Sequence, residues 1–181
     1  MAIKTFTTGE VLTASDTNTY LANSGLVFVK SQTITGTPSA ETVTSAFSST
    51  YDNYRIVYNS IATTGLNALL LTFNGSTGST YNDAGSFIVS GGGQTIEANL
   101  ARTNIRVGIV ETSVSISGWF DCFAPNLNGR TWVNGGSMGS SYFNWRQGVD
   151  TNTAQHTAFT LTAAAGTMAA GTITVYGYRK Q

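Results

Sequence analysis

Apolar and polar residues alternate along most of this chain with a period of two, the spacing that sends successive side chains to opposite faces of a strand. The cleanest case is 113–123, where Val114, Ile116, Gly118, Phe120 and Cys122 fall on one face and Ser113, Ser115, Ser117, Trp119 and Asp121 on the other. Tyr54, Ile56 and Tyr58 share a face of the run 54–61, and Leu69, Leu71 and Phe73 one face of 68–73. Shorter runs predict strands at 26–30, 87–89, 94–100, 130–134, 142–146, 158–162 and 172–178. Turn residues separate them. Asn74-Gly75 closes one run, Gly91-Gly92-Gly93 makes a bend, and Pro125-Asn126-Leu127-Asn128-Gly129 turns 113–123 back into 130–134 as a hairpin. Residues 76–86, polar apart from Tyr81, read as a long loop. The small-residue stretch 163–171 reads as a loop with close backbone approach, because its two glycines oppose a helix. Many short strands, frequent turns and 20 glycines predict an all-β fold, an antiparallel β-sandwich of jelly-roll-like form.

One stretch departs from this pattern. Residues 6–26 carry helix punctuation: Thr13 as N-cap, Asp16 three residues later as the reciprocal acid of a capping box, and Gly25 as the stop. The helix expected between them, 14–23, is short and rich in Ser, Thr, Asp and Asn, so it needs a partner surface to be stable. The chain therefore divides into an N-terminal docking segment, 1–25, and a β-domain, 26–181. Phe6, Val11, Leu12, Tyr20 and Leu21 are the apolar residues through which the segment would dock.

Composition narrows the function. The 181 residues are 41% hydrophobic, enough for a real core. Only 10% are charged, against roughly 25% in an ordinary soluble protein. A surface so poor in charge relies on Ser, Thr, Asn and Gly, and points toward regulated self-association. Nine basic and nine acidic side chains cancel, and no basic run exists, which argues against a nucleic-acid partner. With no apolar N-terminal region and no apolar span of about 20 residues, neither a signal peptide nor membrane insertion is expected. Cys122 is the single cysteine, so no internal disulfide forms, and its apolar neighbours predict a buried thiol.

The N-terminal run Phe6-Thr7-Thr8-Gly9-Glu10-Val11-Leu12-Thr13-Ala14-Ser15-Asp16-Thr17-Asn18 resembles the opening of many small tail, fibre and other virion proteins of tailed bacteriophages. The closing Gly171-Thr172-Ile173-Thr174-Val175-Tyr176-Gly177-Tyr178-Arg179 is similar to the last strand of the same proteins, and Tyr51-Asp52-Asn53-Tyr54-Arg55-Ile56 is similar in style. The resemblance implies a non-enzymatic virion component, often a homotrimer, assembled in the host cytoplasm, with other virion proteins as partners and an exposed β-domain that can serve host attachment. The chain shows no coiled-coil or β-helical shaft pattern, so a capsid decoration, collar or head-fibre protein competes with a tail fibre.

Residues for catalysis are sparse. Glu111 and Asp121 are the acids that strand pairing could bring together, and His156, the only histidine, reads as a loop or edge residue. No pattern for a zinc, calcium or phosphate site is present, so no cofactor or metal is expected. The aromatic residues are more informative. Trp119, Trp132, Tyr142 and Trp145 cluster in sequence, with Arg130, Arg146, Asn134 and Asn144 nearby to meet sugar hydroxyls, as in a carbohydrate-binding module for a host surface glycan. Large aromatic side chains are mostly buried, which favours the alternative that these rings fill the core or a subunit interface. Trp119, opposite the Phe120 face, is the exception to watch.

Overall fold

A computed structural model describes residues 7–16, 25–65, 67–110 and 114–179, with only the backbone of Asn67 and Val110. Among these residues the regular structure is almost entirely strand: β1 Leu26–Thr33, β2 Ala40–Val43, β3 Asn53–Thr63, β4 Asn67–Phe73, β5 Tyr81–Val89, β6 Gln94–Arg102, β7 Ile105–Val110, β8 Ile116–Phe123, β9 Thr131–Met138, β10 Tyr142–Asp150, β11 Phe159–Ala163 and β12 Met168–Tyr178. They form two antiparallel sheets, one of eight strands in the order β1-β12-β3-β8-β9-β10-β5-β6 and one of four in the order β2-β11-β4-β7. The predicted all-β sandwich is thus the observed architecture.

The alternation in sequence explains the core between the sheets. Tyr54, Ile56 and Tyr58 of β3 and Ile116, Phe120 and Cys122 of β8 point inward from the large sheet, and Leu69, Leu71 and Phe73 of β4 with Phe159 and Leu161 of β11 meet them from the small one, all buried. Each such side chain contributes about 1.5–3 kcal/mol by leaving water. Burial pushes the Cys122 thiol well above its ordinary pKa, as expected of an inert core cysteine. The predicted β8–β9 hairpin forms, with Phe123 opposite Trp132 and Ser117 opposite Met138.

Several elements differ from the sequence reading. The strand expected at 87–89 starts earlier, at Tyr81, so 81–86 are not the end of a long loop: Tyr81 is buried and its hydroxyl accepts from the Phe73 amide. Their polar outer residues hide the alternation. β2 and β7 occur where no element was expected; β2 is only four residues long, and Gly108 interrupts β7. The 163–171 stretch turns at Gly166, but its second half already belongs to β12. Close backbone approach does occur there: a Cβ on Gly171, whose φ is +138°, would lie 2.8 Å from Ile61 Cγ1, beside the bulge at Ser60.

The N-terminal punctuation is visible where the segment is described. The Asp16 amide donates to Thr13 Oγ1 at 3.1 Å, and the Thr13 amide donates back to Asp16 Oδ2 at 3.1 Å, a reciprocal capping box. The helix it starts is described over Ala14–Asp16 only. Val11 and Leu12 are exposed, at 79% and 50%. Phe6, Tyr20, Leu21 and the rest of the expected helix lie outside the described residues. No helix among the described residues is long and apolar enough to cross a membrane.

Candidate functional site

Strand register, rather than nearness in sequence, assembles the most distinctive surface of the molecule on the outer face of the eight-stranded sheet. Trp119 on β8 and Trp145 on β10 both pair across to Gly136 on the intervening β9. Because Gly136 has no side chain, the two indoles meet above it edge to face, 5.8 Å between centroids at 82°. One register step along, Asn134 of β9 stands opposite Gln147 of β10; a further step on, Trp132 stands opposite Val149. Trp132 and Trp145 are 52% and 50% exposed, so of the expectation that the rings fill the core or a subunit interface, the core half is corrected for these two. Both belong to the outward set, which on the large sheet carries no covering layer from the described residues.

Trp119 has a different role. Arg55 of β3 places its guanidinium carbon 4.6 Å from the centroid of that ring, and Nε and Nη2 donate to Asp121 Oδ1 and Oδ2, each at 2.8 Å. The Tyr178 hydroxyl donates to the same carboxylate at 2.7 Å. The hydrogen bond to Asp121 raises the Arg55 pKa, against partial desolvation. Desolvation, then the bond to Asp121, push Tyr178 up to about 12. Asp121, only 7% exposed, is a fixed anchor rather than the solvated strand acid its position suggested. The trio of Arg55, Asp121 and Tyr178 neutralises itself and braces Trp119, which in turn orients Trp145. Neither Arg55 nor Tyr178 was singled out from the sequence, because cross-strand pairing of Arg55 with Asp121 joins residues far apart in the chain.

The other expected contacts separate. Arg130 is exposed in the turn just before β9, whereas Arg146 and Asn144 point into the sandwich and are 1% and 6% exposed. They cannot meet a ligand on the outer face, since strand alternation puts them on the opposite side from Trp145. Arg146 Nη2 instead lies 2.8 Å from Glu97 Oε2, and Arg106 Nη1 2.6 Å from the same oxygen. Burial raises the Glu97 pKa, but the two guanidinium groups outweigh it and hold the carboxyl below its ordinary value. Tyr142 is half-buried against Phe87, 6.1 Å between ring centroids.

His156 also departs from expectation. It lies in the connection from β10 to β11, but it is fully buried, stacked on Phe73 at 4.8 Å and 15°. Its Nδ1 donates to the Asn74 carbonyl at 2.6 Å, and its Nε2 faces Asp150 Oδ2 at 3.3 Å. The Ser76 hydroxyl donates to that same carboxylate oxygen. Serine and imidazole therefore flank the carboxylate, an order in which the imidazole cannot take the serine proton. The trio ties the turn after β4 to the end of β10. Glu111, the other acid considered with Asp121, lies outside the described residues. Among the described residues no group of three or more His, Cys, Asp or Glu side chains is placed to hold a metal ion.

No protein-family model matches this chain, and neither a curated protein nor a solved structure does.

Proposed function

We propose that this chain is a structural component of a tailed-phage virion, of the tail or fibre type, that works by binding rather than catalysis. Its N-terminal segment docks on other virion proteins, its copies associate as a homo-oligomer, and its β-sandwich attaches to a saccharide of the host surface through the outer face of the eight-stranded sheet. The phage setting rests on the resemblance at the two chain ends. The attachment role rests on one observation: two half-exposed indoles, Trp132 and Trp145, flank the carboxamide pair Asn134 and Gln147 on a braced sheet. Indole faces suit the C–H faces of a sugar ring, and side-chain amides suit its hydroxyls.

Trp132→Ala and Trp145→Ala are each expected to abolish adsorption of particles to host cells. Both rings are half-exposed, so the change in stability should stay near 0.5 kcal/mol, checked by thermal melting. Normal adsorption of the double variant would remove the attachment role. For the docking role, deletion of residues 1–25 should leave a folded β-domain that is missing from purified particles. Incorporation of the truncated chain at the normal level would refute it.

A further inference from the structure

Of the hollows on the outer face of the large sheet, two lie on either side of the Asn134–Gln147 pair. The first, ≈ 390 Å³, is walled by Trp132, Phe123 and Leu100 and carries the carboxamides of Asn82, Asn134 and Gln147. The second, ≈ 320 Å³, has Gly136 as its floor and Trp119, Trp145, Met138, Phe143 and Ile88 as its walls. Its outward polar groups are the hydroxyls of Ser86 and Ser117, and Ser117 Oγ already accepts from the Ser60 amide. Neither hollow presents an outward charge. Asp83 touches the first but is 6% exposed and belongs to the inward set of β5, and the Arg55–Asp121 pair beside the second is closed on itself.

We propose that the face takes an uncharged oligosaccharide, and that the Gly136 hollow receives a methyl group of that chain: the 6-methyl of a deoxyhexose or the acetyl methyl of an N-acetylhexosamine. The proposal rests on the saccharide reading above and names the ligand class within it. An anionic saccharide would find no free cation in either hollow. A hydroxyl pushed into the Gly136 hollow would meet mostly carbon and lose its water partners, whereas a methyl group gains contact there. The first hollow is as largely apolar as the second, but the carboxamides of Asn82, Asn134 and Gln147 stand beside Trp132 to meet the hydroxyls of a sugar ring. Trp145 and Val149, the partner of Trp132, are four residues apart on β10. At the strand rise of ~3.4 Å per residue that is roughly 14 Å, so the two sites serve separate sugars of one chain. Concave volumes of this size are in the ~300–1,000 Å³ range of small-ligand sites, whereas a second copy needs a contiguous face of about 800 Å² on each side.

The test is calorimetric titration of the full chain with chitohexaose, a rhamnose hexasaccharide, maltohexaose and a heparin hexasaccharide. One or both of the methyl-bearing chains should bind at least ~10-fold tighter than maltohexaose, with little dependence on added sodium chloride. Which of the two prevails identifies the methyl group. Gly136→Val should erase that preference by filling the hollow. Its Cβ comes within 3.1 Å of the Asn144 carbonyl, so Phe143→Ser, at a wall residue that is 45% exposed, provides a second variant with the same expected loss of preference. Equal binding of maltohexaose would overturn the methyl assignment and leave the saccharide reading standing. Tightest binding of the heparin chain would overturn the uncharged class. Absence of binding to all four would remove both, as would self-association of the chain that Phe143→Ser abolishes.

Discussion

Asp150→Ala should lower the unfolding free energy by about 3 kcal/mol, because several buried polar groups lose their shared acceptor and each one left unsatisfied costs about 1–3 kcal/mol. Asp150 is fully buried, and its carboxylate accepts from Ser76 Oγ and, at 3.0 Å, from the Asn152 amide, while facing His156 Nε2 at 3.3 Å. The substitution strands all three groups at once. Urea unfolding at neutral pH measures the loss. The same carboxylate gives a pH signature. Desolvation alone would raise its pKa, but the facing His156 ring and the hydrogen bonds from Ser76 and the Asn152 amide outweigh it and hold the group below its ordinary value. A depressed folded pKa contributes stability that is complete above the unfolded value of about 3.9 and is lost as pH falls through the folded pKa. The wild-type chain should therefore lose stability below about pH 4, and Asp150→Asn should lose less over the same interval. Parallel acid profiles for the two would exclude the carboxylate as the source.

The second large effect is expected at Gly118. This residue pairs with Tyr58 across β3 and β8, and a Cβ added to it would lie 2.5 Å from both the Tyr58 hydroxyl oxygen and the Gly136 carbonyl oxygen. Backbone of β9 bounds one side and the buried Tyr58 ring the other, so the neighbourhood cannot yield cheaply. Gly118→Ala should cost at least about 1–3 kcal/mol, and Gly118→Val should prevent folding. For a domain of this size each kcal/mol lowers the melting temperature by about 2–4 °C, so the alanine variant is measurable by calorimetry. The Tyr58 hydroxyl also donates to the Val107 carbonyl at 2.9 Å and so joins the two sheets. Tyr58→Phe in the Gly118→Ala background should recover part of the loss if crowding of that oxygen is the cause. No recovery would place the strain on the Gly136 carbonyl or on the Tyr58 ring carbon Cζ, 2.6 Å from the added Cβ.

Local chemistry was legible in the sequence wherever a few consecutive residues decide the outcome. The capping box of Thr13 and Asp16 needs only residues three apart. The two faces of β8 follow from alternation, so Phe120 and Cys122 on one side and Trp119 and Asp121 on the other could be read directly. The first two thirds of β5 escaped because the outer residues Asn82, Ala84 and Ser86 are small or polar, and only the burial of Tyr81 shows which side is the core.

The sequence by itself determined the fold class and the face on which each residue of a clean strand lies, because a period of two is a property of the chain alone. Which of two faces is covered, and which residues stand beside one another across strands, was decided only by tertiary structure. Pairing partners are set by contacts between residues as distant as Arg55 and Asp121, and no local pattern encodes that register. That is why Trp132 and Trp145 could be suspected of binding from their residue type alone. Only the eight-stranded sheet sets them on an open face, turns Arg146 away from them, and lays a glycine between Trp119 and Trp145.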